Sequence, residues 1–113
     1  MGLLHLIVSF ITLELQVACN TITVAEQSFG VVHAQALISL IADIEAFDHA
    51  AELIDFLGNE AEVTLNDTLS LAVGSGYRAI FQPAARKYLR SDAGQVLWPT
   101  VKRLKLIELT EIQ

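Results

Sequence analysis

The stretch that decides the fold is Thr68-Leu69-Ser70-Leu71-Ala72-Val73-Gly74-Ser75-Gly76-Tyr77-Arg78-Ala79-Ile80-Phe81-Gln82. Leu69, Leu71 and Val73 alternate with Ser70 and Ala72, the two-residue period of a strand with one buried face. Gly74-Ser75-Gly76 supplies a turn, and residues 77–82 alternate again, so the spacing predicts a β-hairpin. On its second strand Tyr77 and Phe81 belong to the core side and Arg78 to the opposite side. Arg78 is also the first basic residue of the chain. Residues 1–77 carry ten acidic side chains and no Lys or Arg, whereas residues 78–113 carry seven basic and three acidic ones. The chain is therefore electrically two-ended, near −10 and then near +4, with a net charge of −6. A site for an anion belongs in the second part.

At 113 residues, 53% of them hydrophobic, the chain is one domain spanning 1–113 with enough apolar material for a core, which excludes a disordered segment. Net acidity opposes indiscriminate binding to nucleic acid or anionic membrane, so an RNA contact would use the basic C-terminal third. The single Cys19 excludes an internal disulfide and forms no zinc pattern, and is expected as a small buried thiol. His5, His33 and His49 have no metal-ligand spacing. Neither metal nor cofactor is expected. The apolar run at 3–13 falls short of the roughly 20 residues of a membrane span, and Glu14 and Gln16 end it. It lacks the basic flank of a secretory signal, and Gln16 breaks the lipoprotein-like run at 15–19. These features predict no membrane attachment and a cytoplasmic location.

Working toward the N-terminus, residues 5–10 form a compact apolar run suited to a buried strand. Ile11, Leu13, Leu15 and Val17 alternate like a strand, yet Ile11, Leu15 and Ala18 also fit one helix face, and local pattern alone prefers strand. Residues 24–29 suggest a short helix closed by Gly30. Leu37, Leu40, Ile41 and Ile44 recur at helical spacing and predict a helix over 31–47, with Asp43 and Glu45 on its wet side. A further helix over 48–57 would take Asp48 as N-cap and stop at Gly58. After the hairpin, residues 83–94 form a polar loop with Arg86, Lys87, Tyr88 and Arg90. Residues 101–112 suggest a last strand, with Leu104, Leu106 and Ile107 as inward candidates. The order implies an α+β domain: an N-terminal strand and helices packed on a small antiparallel sheet.

Several pieces in this order resemble the RelE/ParE toxin superfamily, in particular the HigB-like plasmid maintenance killer toxins of toxin–antitoxin systems. They are Cys19-Asn20, Phe29-Gly30 and Ala42-Asp43-Ile44-Glu45-Ala46, then Ser70 to Arg78 of the hairpin. Phe81-Gln82-Pro83-Ala84, Asp92-Ala93-Gly94-Gln95-Val96-Leu97-Trp98 and the stretch 101–111 complete the set. The resemblance implies a helix over 12–20, against the local pattern. It implies a growth-inhibiting toxin that cleaves messenger RNA on the ribosome and is neutralised by a cognate antitoxin. ParE-like members of the superfamily act instead on DNA gyrase without nuclease chemistry.

In such RNA cleavage the ribose 2′-hydroxyl attacks the adjacent phosphate, and a fixed cation stabilises the charge that builds on the phosphoryl oxygens. A guanidinium is planar, permanently charged and able to grip phosphate with two donors. Arg78 matches the family's strand arginine and is the candidate catalytic residue. Arg86, Lys87, Arg90, Lys102, Arg103 and Lys105 are candidate RNA contacts, with Tyr88 a stacking platform for a base. The competing structural role for Arg78 is an ion pair with a helix carboxylate such as Asp43 or Glu52. The chain departs from the toxins in its acidic stretches, for example Gly58 to Glu62, and in ending at Thr110-Glu111-Ile112-Gln113 without an evident general acid or base. Those departures motivate a second hypothesis, a non-enzymatic binding protein, and a third, an acidic α+β domain without toxin activity. An uncovered run at 3–10 would offer an edge for pairing with a second copy, a homo-oligomer.

Overall fold

The computed structural model describes residues 6–64, 67–74, 76–84 and 90–111. His5, Ser75, Arg86, Lys87 and Tyr88 lie outside them. Strand β1 (Ile7–Phe10) is followed by four helices, α1 (Leu13–Asn20), α2 (Ile22–Phe29), α3 (Val31–Ile44) and α4 (Ala50–Leu57). Strands β2 (Ala61–Val63), β3 (Leu69–Val73), β4 (Tyr77–Pro83) and β5 (Arg103–Glu111) complete an α+β domain. The sheet order is β1-β5-β4-β3-β2.

Strands β2 to β5 pair antiparallel, but β1 lies parallel to β5, so the sheet is mixed rather than antiparallel as expected. The reason is the long helical excursion after β1, which can return the chain for parallel pairing where a tight turn cannot. Two N–H groups on the outer edge at β1 are held by the end of the helical layer. Leu6 N–H donates to the Phe47 carbonyl (2.7 Å) and Val8 N–H to a Glu45 carboxylate oxygen (3.4 Å). These two contacts explain why α3 stops at Ile44 rather than running to 47: the next three residues leave the helix to cover the strand. Over residues 6–8, the edge that an uncovered 3–10 would offer is therefore capped.

Helix α1 begins where Thr12 turns from extended backbone and its hydroxyl accepts from Leu15 N–H (3.1 Å). The helix that the resemblance implies over 12–20 is present, and the strand-like alternation of Leu13, Leu15 and Val17 is overridden. At α4 the N-cap is His49, not Asp48, and no side-chain cap bond forms. Glu52 instead accepts from the Asp48 N–H (2.9 Å), while Ala50 N–H is held by the Val101 carbonyl (3.0 Å). Gly30 and Gly58 follow α2 and α4 at positive φ, which accounts for both helix ends.

One core fills the space between helices and sheet. Leu37, Leu40, Ile41 and Ile44 of α3 meet Leu69, Leu71, Val73, Ala79, Phe81, Leu104 and Leu106, all buried. Burial of so many full aliphatic side chains, at about 1.5–3 kcal/mol each, dominates the stabilising side of folding. The last strand breaks its own period once. Ile80 pairs with Glu108 and Phe81 with Leu106, leaving Ile107 as the extra residue of a bulge. Leu109 thereby also returns to the core side, beside Tyr77, Phe29, His33 and Leu37. Strand β2 was not foreseen: three residues, Ala61-Glu62-Val63, are too few to show a period.

Cys19 is buried as expected, and burial pushes its thiol up from the usual 9.0 to about 11. Because the folded value is the higher one, its contribution to stability is intact below about 9 and fades as pH rises toward 11. At pH 8 iodoacetamide should alkylate the folded thiol roughly a hundredfold more slowly than the unfolded one; equal rates with and without urea would contradict this burial.

Gly76 sits where a Cβ would run into the His33 imidazole, which itself stands edge-on to Tyr77 at 5.1 Å. Gly76→Ala should cost about 1–3 kcal/mol in urea unfolding. The same change in a His33→Ala background should cost much less, a double-mutant cycle that isolates the clash.

Candidate functional site

The period of two divides the sheet into a core side and a second side. Ser70 and Ala72 of β3, Arg78, Ile80 and Gln82 of β4, and Lys105, Glu108 and Thr110 of β5 alternate with core residues and share that second side. Among the described residues no helix packs over it. Arg78 lies on the central strand, one residue in from its start at the hairpin turn, with Ala72 opposite on one neighbour and Thr110 opposite on the other.

The guanidinium is fixed from one direction. Nε donates to Ser70 Oγ (2.6 Å), and Nη2 donates to the Ser70 carbonyl (2.8 Å) and the Glu60 carbonyl (3.3 Å). Ser70 is only 4% exposed, so its hydroxyl is an oriented acceptor rather than a surface group. Among the described residues Nη1 has no hydrogen-bond partner, and no carboxylate forms a salt bridge with Arg78. Asp43 and Glu52, the expected structural partners, belong to the helical layer on the other side of the sheet. The arginine thus ties β4 to β3 and to the turn before β2, and keeps one edge of its fork for another acceptor.

Its surroundings are mixed in charge. Glu62 stands opposite Ser70, and Glu108 stands opposite Ile80 with its carboxylate accepting from the Thr110 hydroxyl (3.1 Å). Lys105 is on the same side but opposite Gln82, four residues along β4 from Arg78 and so roughly 13 Å away along the strand. Arg103 lies one alternation further, opposite Ile7. Lys102 and Arg103 are exposed. These cations form a spaced row rather than a cluster converging on one point. Arg90 is engaged elsewhere: its Nη1 donates to Asp67 (2.7 Å) and to the Gly94 carbonyl (2.9 Å), joining two loops. Arg86, Lys87 and Tyr88 fall outside the described residues.

His33 packs on Tyr77 on the core side, and His49 is half-buried at the start of α4 with Nδ1 lacking a described partner. Neither shares the side of the sheet that carries Arg78. Among the described residues no group of three or more His, Cys, Asp or Glu side chains could hold a metal ion, and no helix is long and apolar enough to cross a membrane. Ser70 is the site residue that sequence reasoning missed. The signal was there: a three-residue turn at 74–76 pairs Val73 with Tyr77, which makes Ser70 the polar diagonal neighbour of Arg78.

Replacing Ser70 by Ala should therefore lower stability by about 1–2 kcal/mol, as for loss of a half-exposed bond to a charged donor. Arg78→Ala should lose a similar amount, and the double variant less than the sum. Additive losses in urea unfolding would show that the pair is not coupled.

No family model matches the chain, and no curated protein or solved structure does either.

Proposed function

We propose that this chain is the toxin of a toxin–antitoxin pair of the RelE/ParE kind, HigB-like, which inhibits growth in the cytoplasm as a ribosome-dependent mRNA endoribonuclease. The observation that carries the reading is the anchored Arg78, whose Nη1 has no hydrogen-bond partner among the described residues. A cation already held by Ser70 needs little reorganisation to meet charge developing on a phosphoryl oxygen, which is the condition for electrostatic catalysis. Lys105 and Arg103 extend positive charge along the same side and would contact neighbouring phosphates of a bound strand. The sequence resemblance suggests the reaction and the antitoxin as partner, and the Arg78 Nη1 without a partner among the described residues supports an anion contact there.

A second reading is favoured by a specific observation: His33 stands on the core side and His49 at the start of α4, and Glu62 and Glu108 border the arginine's rows. Without an imidazole to move the 2′-hydroxyl proton, the same surface would serve a non-nuclease toxin, directed at gyrase, or a relative that only binds its antitoxin.

Expression from a tightly controlled promoter in bacteria separates these readings. The endoribonuclease arrests growth and leaves new 5′ ends inside messages. Arg78→Ala relieves arrest while remaining folded, and Arg78→Lys, which keeps charge but loses the fork, restores it only in part. Arrest with intact RNA and a DNA-damage response selects the gyrase reading. No arrest by folded parent protein removes the toxin reading.

A further inference from the structure

Two helices end beside the outer edge of β1. Helix α1 closes at Asn20, and α3 closes at Ile44 with Glu45 as its cap; neither has a basic residue in its last turn. The partial negative charge of two helix C-termini is thus not opposed from within either helix. Gln16 and Asn20 stand four residues apart on α1, and Ile41 and Glu45 four apart at the end of α3. With Val8 and Phe10 of β1 they line one pocket of about 440 Å³, a volume suited to a small molecule.

The walls of this pocket offer acceptors and hold no cation. Among the described residues Glu45 makes one hydrogen bond, the 3.4 Å contact from Val8 N–H to Oε2, and forms no salt bridge. No hydrogen bond among the described residues engages the Gln16 or Asn20 carboxamide. The carboxylate of Glu45 is half-buried beside the buried Val8 and Ile41, so water and salt screen its charge less than that of an exposed group. On the outer edge of the strand Leu6 and Val8 are already held, which leaves the pocket a single further residue of β1, Phe10. One residue is too short a run for an added strand, and the size and chemistry are those of a small ligand.

We propose that the pocket between α1, α3 and β1 binds a small organic cation, an amine or guanidine on a short aliphatic stem. Its charged N–H donors meet Glu45, Gln16 and Asn20, and its stem lies on Val8, Phe10 and Ile41. A hard divalent ion is a poorer match, because it gathers many oxygen ligands and the pocket has one carboxylate over an apolar floor. The proposal goes beyond the reading of Arg78 and does not rest on it, since the pocket belongs to the helical layer and the guanidinium of Arg78 to the other side of the sheet.

The test is isothermal titration calorimetry of the full chain with agmatine. Saturable one-to-one binding is expected, with a dissociation constant below about 1 mM. Glu45→Gln, which keeps shape and removes charge, should weaken it at least about tenfold. Asp43→Asn, also on α3 but outside the pocket lining, and Arg78→Ala should leave it within about twofold. Gln16→Ala with Asn20→Ala should weaken it at least about threefold, and this pair carries the test if circular dichroism shows Glu45→Gln unfolded. Tetramethylammonium, which has the charge without N–H donors, should bind at least about tenfold more weakly. No saturable binding, unchanged binding by the folded pocket variants, or an equal loss in Asp43→Asn overturns the proposal. So does displacement of agmatine by magnesium ion at equal concentration, because the pocket then reads charge alone.

Discussion

Strand β4 can serve two sides at once only because successive residues of an extended chain point in opposite directions, and the molecule is organised around that constraint. Ala79 and Phe81 disappear into the core, and Tyr77 meets Phe29 and His33 edge-on. Arg78, Ile80 and Gln82 are thereby committed to the side over which no helix packs among the described residues. A long charged side chain on the central strand is tolerable because its Nε and Nη2 are paired locally, by the Ser70 hydroxyl and by the Ser70 and Glu60 carbonyls. The same bonds that make it tolerable also hold it still.

The uneven charge of the chain becomes an arrangement in space once the sheet forms. Seven of the thirteen acidic residues lie on the helices and their connections, and the described basic residues sit on β4, β5 and the loop before β5. Two chemically different surfaces result, one acidic with exposed aliphatic groups, the other mixed and polar with a row of cations. Each layer also stabilises the other: Glu45 and Phe47, at the end of α3, satisfy the strand that brings β5 its parallel neighbour.

Most of the architecture was legible where residue periods are long. The hairpin, the α3 core face and the inward Leu104 and Leu106 follow from alternation or helical spacing alone. Helix α1 was not, because Leu13, Leu15 and Val17 satisfy a strand template equally well and the deciding contact is the Thr12 cap. Parallel pairing of β1 is invisible locally, since it depends on partners nearly a hundred residues away. At the candidate site, the direction of Arg78 was readable from Tyr77 and Phe81. Its partner was not sought on the neighbouring strand, so helix carboxylates were considered instead of Ser70.

The bulge at Ile107 has a consequence for how the two ends of β5 relate. Were Ile107 to take the place opposite Ile80, the following residues would each advance by one: Glu108 would face Ala79 and enter the core, and Leu109 would sit beside the guanidinium. The extra residue acts as a phase correction, allowing both halves of one strand to be in step with β4 despite a sequence that is out of step. The polar setting of Arg78 is thus inherited from an irregularity two residues and more away, on a different strand. A chain that lost this irregularity would keep every side chain of the site and lose the site.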